Sequence, residues 1–252
     1  MIVDGYSHCG ISKYKPVETV LEVMAKANVS RALLCQHLGE YDNRYLAEVV
    51  KSHPETFAAV CLVNPKEEDA IGRLRYWNGT GQFRGVRLAA EWLEPHLALW
   101  REALQLGLRL VIYTPDGIGA VAPAVRQLLR DCPDGRIVVS HLGNPKLVDG
   151  QRVVSDLFRL DQEAGVFVLL SGLSMFCAYP YAEYAEFISE VIRRFGPERL
   201  LWGSNFPVCG DENAYRRDLE QLLSGAWGAS PAAIRAIVGD TANALWFAES
   251  VH

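Results

Sequence analysis

The chain has no cluster of lysine and arginine, and its formal charge of −5 with a pI near 5.7 argues against a nucleic-acid partner. It has no apolar stretch near the roughly 20 residues needed to span a bilayer, so no membrane partner is expected. Met1-Ile2-Val3-Asp4 enters an apolar run too short and too acidic for a secretory signal. The six cysteines, Cys9, Cys35, Cys61, Cys132, Cys177 and Cys209, show no CxxC spacing, which excludes the common zinc-knuckle and redox patterns. Several fall inside strand-like runs, so buried, reduced thiols and a cytoplasmic location are the expectation. No Gly-rich GxGxxG turn follows the first strand, where Asp4-Gly5-Tyr6-Ser7-His8 stands instead. That counts against a dinucleotide-binding open sheet. No linker, repeat or low-complexity tract divides the chain, and Gly79-Thr80-Gly81 reads as a loop.

What is present is a rhythm. Apolar runs of about four to seven residues alternate with segments of helical spacing. The runs are Ile2-Val3, Ala32–Cys35, Phe57–Val63, Gly85–Ala89, Leu110–Tyr113, Ile137–Ser140, Val166–Leu170 and Leu200–Trp202. Between them, Val17, Val20, Leu21 and Met24 form a stripe behind Pro16, and Leu46, Val49 and Val50 form another. Val121, Val125 and Leu128, then Phe187, Ile188, Val191, Ile192 and Phe195, continue the pattern. Tyr215, Leu219, Leu222 and Leu223 follow the last run. Ser230-Pro231 starts a short extra helix, and Thr241–Phe247 reads as a closing one. Runs that are continuously apolar suit strands covered on both faces. Eight of them, each followed by a helix, predict an α/β fold of the (β/α)8 TIM barrel type, one domain over residues 1–252.

In such a barrel the C-terminal strand ends carry the chemistry. Here they offer Asp4, Tyr6 and His8, then Gln36 and His37, Asn64, Arg87 and Glu91, Tyr113, Thr114 and Asp116, His141 and Asn144, Ser171 and Ser174, and Ser204 and Asn205. Tyr6 and His8, two apart on one strand, share a face and point toward His141 and Asn205. A single histidine is more often a hydrogen-bonded core residue, but two at separate strand ends make a candidate site. Arg87 within an apolar strand needs an anion, either a substrate carboxylate or a structural partner such as Glu91. His53 and His96 read as helix residues and His252 as the tail. His37 either reaches the site from its loop or is solvated. Cys9 faces away from His8 and is discounted as a nucleophile.

Val3–His8 resembles the Asp-x-His-x-His opening of amidohydrolase-superfamily barrels, and Gln36–Tyr45, Phe83–Leu88, Val139–Pro145, Leu200–Val208 and Val238–Phe247 are similar to later segments in that family's order. The branch it resembles most is the lactonase-like one of 2-pyrone-4,6-dicarboxylate hydrolases and sugar lactonases. The resemblance implies that the strand-four arginine binds a substrate carboxylate and that the strand-one and strand-six histidines polarise the scissile carbonyl. It also implies that a strand-eight aspartate activates water. This chain departs from the pattern: Tyr6 replaces the first histidine, Asn205 the aspartate, and Tyr113 a histidine ligand of metal-dependent relatives.

With His8 and His141 alone, a zinc site lacks donors, so no metal and no other cofactor is expected. The reading is a hydrolase-like enzyme acting on a small carboxylate-bearing lactone. His8, Tyr6, His141 and Asn205 are its catalytic candidates, and Arg87, Tyr113, His37 and Ser171 line the substrate. Two alternatives are a decarboxylase, isomerase, lyase or ligand-binding barrel, and a metal enzyme using His8, His141 and one of Asp4, Glu40 or Asp116. Assembly into a homo-oligomer is left open.

Overall fold

The computed structural model describes residues 1–150 and 152–248; His252 lies outside them. The barrel strands are β1 (Val3–Ser7), β2 (Arg31–Cys35), β3 (Phe57–Leu62), β4 (Phe83–Ala89), β5 (Arg109–Tyr113), β6 (Ile137–Val139), β9 (Val166–Leu170) and β10 (Leu200–Trp202). They pair in parallel in that order within one eight-stranded sheet. Around them lie α1 (Val17–Lys26), α2 (Arg44–Ser52), α3 (Ala70–Gly79), α4 (Leu97–Gln105), α5 (Ala122–Asp131), α6 (Ala185–Phe195), α7 (Glu212–Leu223), α8 (Pro231–Arg235) and α9 (Thr241–Trp246). The architecture is the eight-stranded α/β barrel that the apolar rhythm predicts. Among the described residues no helix is long and apolar enough to cross a membrane.

Alternation along each strand builds two cores. Leu34, Cys61, Leu88, Ile112 and Val139 pack outward against the helices. Leu33, Val60, Val111, Val138 and Leu201 fill the interior, which Leu245 and Trp246 of α9 plug from below. Side chains cap three helices: Asp69 accepts from Gly72 N at 3.1 Å, Asp211 from Ala214 N at 3.0 Å and Ser230 from Ala233 N at 3.2 Å. Each satisfies an amide that the first helical turn leaves unpaired. All six cysteines are free thiols.

Several elements differ from the expectation. β1 runs to Ser7, because its polar residues find partners inside the barrel and do not end the strand. β4 starts earlier, at Phe83, with a register shift against β3. Among the described residues no α-helix lies between β6 and β9. A hairpin, β7 (Lys146–Val148) with β8 (Arg152–Val154), and a 3₁₀ turn at Leu157–Leu160 take its place. β6 stops before Ser140, because His141, Leu142, Gly143 and Asn144 all adopt left-handed backbone with φ of 51°, 55°, 71° and 52°. Gly79 closes α3 and does not begin a loop, and Leu223 of the α7 stripe is exposed.

The barrel closes at one seam. Asn205 N donates to the Tyr6 carbonyl at 2.8 Å, and His8 N to that of Phe206 at 2.8 Å. Beneath these bonds, Asp4 Oδ1 accepts from Ser204 N at 2.9 Å and Tyr6 N at 3.1 Å, while Oδ2 takes the Ser204 hydroxyl at 2.5 Å. Gly203 lets the strands approach this closely: a Cβ there would lie 2.7 Å from that of Tyr6.

Candidate active site

Tyr6, His8, Arg87, His141, Ser171 and Asn205 converge at the C-terminal end of the barrel, all buried. The Tyr6 ring stands edge-on to both imidazoles, with centroids 4.9 Å from His8 and 5.1 Å from His141. Tyr113 approaches His141 at 6.0 Å. The Arg87 guanidinium lies 5.7 Å from the Tyr6 ring centre and 5.8 Å from that of Tyr113. Among the described residues the Tyr6 hydroxyl and Arg87 Nε have no hydrogen-bond partner. Arg87 Nη1 donates to the Gln36 carbonyl at 2.8 Å. Glu91 is exposed and forms no ion pair with Arg87, so the structural partner considered for the arginine does not exist. A buried cation supported only by a carbonyl and aromatic faces is costly unless an anion joins it.

His8 Nδ1 is 2.6 Å from the Cys35 carbonyl, and Nε2 is 3.2 Å from Asn205 Oδ1. Burial, and then the charge of Arg87, push His8 down to about 3, so it is neutral at pH 7. A carbonyl only accepts, so the single ring proton sits on Nδ1 and Nε2 presents a lone pair. Asn205 donates to that lone pair once its carboxamide turns through half a rotation. His8 is thus an acceptor toward the site, where the sequence suggests a donor. His141 is also pushed down to about 3, by burial first and then Arg87. Its Nδ1 lies 2.8 Å from the Ser171 hydroxyl, which can donate or accept, so either tautomer is available. His141 and Asn205 both hold left-handed backbone, φ 51° and 56°, a conformation that concentrates at functional sites when glycine is not used.

Two further residues join the site without a sequence signal. Tyr14, from the loop after β1, stacks on His8 at 4.8 Å and 18°. Met175, after β9, brings Sδ to 3.8 Å from Asn205 Nδ2. His37 meets Tyr14 edge-on at 5.4 Å, which places it at the rim of the site. Asp4 was readable as a strand-end residue, but its carboxylate is spent on the seam. Its pKa rises to about 6 through burial, opposed by the Ser204 bonds. Cys9 packs in the outer core, away from the imidazoles.

A resident metal does not fit this donor set. Each imidazole has one nitrogen engaged, and the remaining corners are a phenol and a carboxamide beside a guanidinium. Glu40 is tied to Asp42 N at 2.9 Å, Asp116 is exposed and Asp4 holds the seam, so none of the three completes a ligand set with His8 and His141. Among the described residues no group of three His, Cys, Asp or Glu side chains could hold a metal ion.

The amidohydrolase family's sequence model matches residues 8–248. The chain belongs to the amidohydrolase family. It is 26% identical over 216 residues to an L-fucono-1,5-lactonase of Burkholderia ambifaria, covering 79% of this chain and 74% of that one. It superimposes with a TM-score of 0.76 on a candidate 2-pyrone-4,6-dicarboxylic acid hydrolase of Pseudomonas putida, at 23% identity over 97% and 96% of the two chains. A 5-carboxyvanillate decarboxylase of Sphingomonas paucimobilis shares the fold with a TM-score of 0.65, at 15% identity over 90% and 81%.

Proposed function

We propose that this amidohydrolase opens a small carboxylate-bearing lactone, or a similar cyclic ester, without a resident metal. The carrying observation is Arg87, a buried guanidinium with no carboxylate partner and a free Nε, 5.7 Å from the ring centre of Tyr6, whose hydroxyl is also unpartnered among the described residues. The substrate carboxylate binds Arg87, which sets the ring carbonyl against Tyr6 O–H. Tyr6 then donates to the oxygen as it becomes an oxyanion, joined by His141 when the Ser171 hydroxyl donates to Nδ1 and leaves Nε2–H free.

Water takes the place of the Asn205 amide at His8 Nε2, stays bonded to Asn205, and gives its proton to that nitrogen as its oxygen attacks the carbonyl carbon. The ring C–O bond then breaks, and the leaving oxygen takes that proton from His8. An imidazole this reluctant to protonate is a weak base in the resting site. The developing oxyanion beside it offsets the field of Arg87 and makes the transfer feasible at the transition state. The lactonase and pyrone hydrolase relatives support this substrate class.

The test is turnover by chelator-treated protein of five- and six-membered lactones with and without a carboxylate. Ring opening confined to carboxylate-bearing lactones and unaffected by chelator supports the reading; restoration only by added zinc or manganese overturns it. Asn205, neutral at the position where a hydrolase uses an acid, favours a second reading. In it the same pocket decarboxylates its substrate, and carbon dioxide release in place of ring opening distinguishes that outcome.

A further inference from the structure

The opposite end of the barrel gathers positive charge that has no carboxylate partner among the described residues. Arg84, Arg109 and Arg136 stand at the N-terminal ends of β4, β5 and β6. Pairing sets Gly85 beside Arg109 and Leu110 beside Ile137, so the three arginines are lateral neighbours. Arg109 and Arg136 each precede an interior valine by two residues, Val111 and Val138, and so face inward. Arg84 is the residue displaced by the register shift between β3 and β4. It lines a cavity of about 360 Å³ with Arg31, Lys51, Glu55, Trp246 and Phe247, where Glu55 pairs with Arg31 at 3.5 Å; Arg109 and Arg136 stand beside this cavity and do not line it.

This chain usually gives its arginines carboxylates: Arg75 meets Glu102 at 2.7 Å, Arg101 meets Asp131 at 2.5 Å and Arg126 meets Glu163 at 3.1 Å. The three at the barrel base have none among the described residues. Arg109 Nη1 and Arg136 Nη1 settle for backbone carbonyls of their own turns. Arg109 Nε and the Trp246 indole N–H are buried without partners among the described residues. Burial, and then repulsion from Arg84 and Arg136, hold Arg109 below the usual guanidinium range. Like charges held together in a partly buried mouth destabilise the fold unless an anion sits among them.

We propose that the N-terminal mouth of the barrel, ringed by Arg84, Arg109 and Arg136, binds a small multivalent oxyanion, a phosphate either free or carried on a larger metabolite. The site lies at the opposite end of the barrel from Arg87 and does not depend on its chemistry. Planar guanidinium forks match tetrahedral oxyanions in pairs, and Lys51 adds positive charge at the rim, where Arg31 is already paired with Glu55.

The test measures melting temperature and calorimetric binding of the full chain with inorganic phosphate, pyrophosphate and a sugar phosphate, against sodium chloride at equal ionic strength. The expected result is a rise in Tm specific to phosphate species, with affinity at least about tenfold weaker in Arg84→Gln and Arg136→Gln. Binding of inorganic phosphate marks a free-ion site; binding of the sugar phosphate alone marks a site for a phosphoryl group on a larger molecule. Both support the proposal. Arg109→Gln removes a more buried side chain, so the two half-buried variants carry the comparison. In phosphate-free buffer of low ionic strength, Arg84→Gln is expected to melt at or above the parent, since repulsion is relieved. A lower Tm there would show that the chain already supplies the counter-charge and would overturn the proposal. So would equal stabilisation by chloride.

Discussion

The Nδ1 atom of His8 lies 2.6 Å from the carbonyl oxygen of Cys35, and this contact decides which nitrogen faces the reaction. The imidazole is clamped as an acceptor. Tyr6 is therefore left as the donor whose tautomer never has to change.

Tyr6→Phe is the sharpest test of that division of labour. The hydroxyl has no partner to lose, so Tm should stay level or rise. Lactone kcat should fall by about 10²–10³-fold, the reach of one oxyanion donor, with little change in KM. A kcat equal to the parent's would remove Tyr6 from the mechanism.

Arg87→Lys should weaken carboxylate ligands by about 1.5–3 kcal/mol, because an ammonium cannot reproduce the planar fork. Neutral lactones should lose far less. Isothermal titration with paired acid and amide ligands reads the difference, and equal losses for both would make Arg87 a packing residue.

Asn205→Asp restores the acid expected of a water-activating relative. It places a carboxylate 3.2 Å from His8 Nε2, which draws a proton onto the imidazole and supplies a base for water. Slow lactone hydrolysis should rise within the roughly 10²–10⁴-fold range of general base catalysis, and further, non-additively, with Tyr6→His. Pre-steady-state rates that do not change in either folded variant would favour the decarboxylating pocket.

Stability should fall on acidification from pH 7 to 5. His8 and His141, each pushed down to about 3 in the fold, contribute stability that is present above their unfolded pKa and lost as pH drops toward the folded value. Asp4, raised from 3.8 to about 6, acts the other way, and its contribution is lost as pH rises through 6. At pH 5 the two histidines cost on the order of 2 kcal/mol each and Asp4 offsets part of that, a net loss of a few kcal/mol. Urea melts at both pH values measure it. A flat profile would mean that the imidazoles are not buried as neutral groups.

Most of the barrel could be read because its strands are covered on both faces and so appear as unbroken apolar runs; Val166–Leu170 and Leu200–Trp202 match the structure residue for residue. β1 was cut short because apolarity stops at Val3 while the strand continues on polar side chains whose partners lie some 200 positions away, as Asp4 and Ser204 do. The replacement of a helix by a hairpin between β6 and β9 is not legible in the sequence, because backbone handedness at His141–Asn144 leaves little trace in residue type. Parity along β1 was enough to pair Tyr6 with His8. Tyr14 and Met175 had no such guide, since only loop geometry carries them over His8 and Asn205.

The seam between β1 and β10, and the plug of Leu245 and Trp246, set the order in which this chain can mature on the ribosome. β1 pairs with β2 on one edge, but its other edge waits for the β10 segment, and the interior stays open below until α9 has been made. Half-finished chains therefore expose two unpaired sheet edges and the interior face of the barrel for most of synthesis.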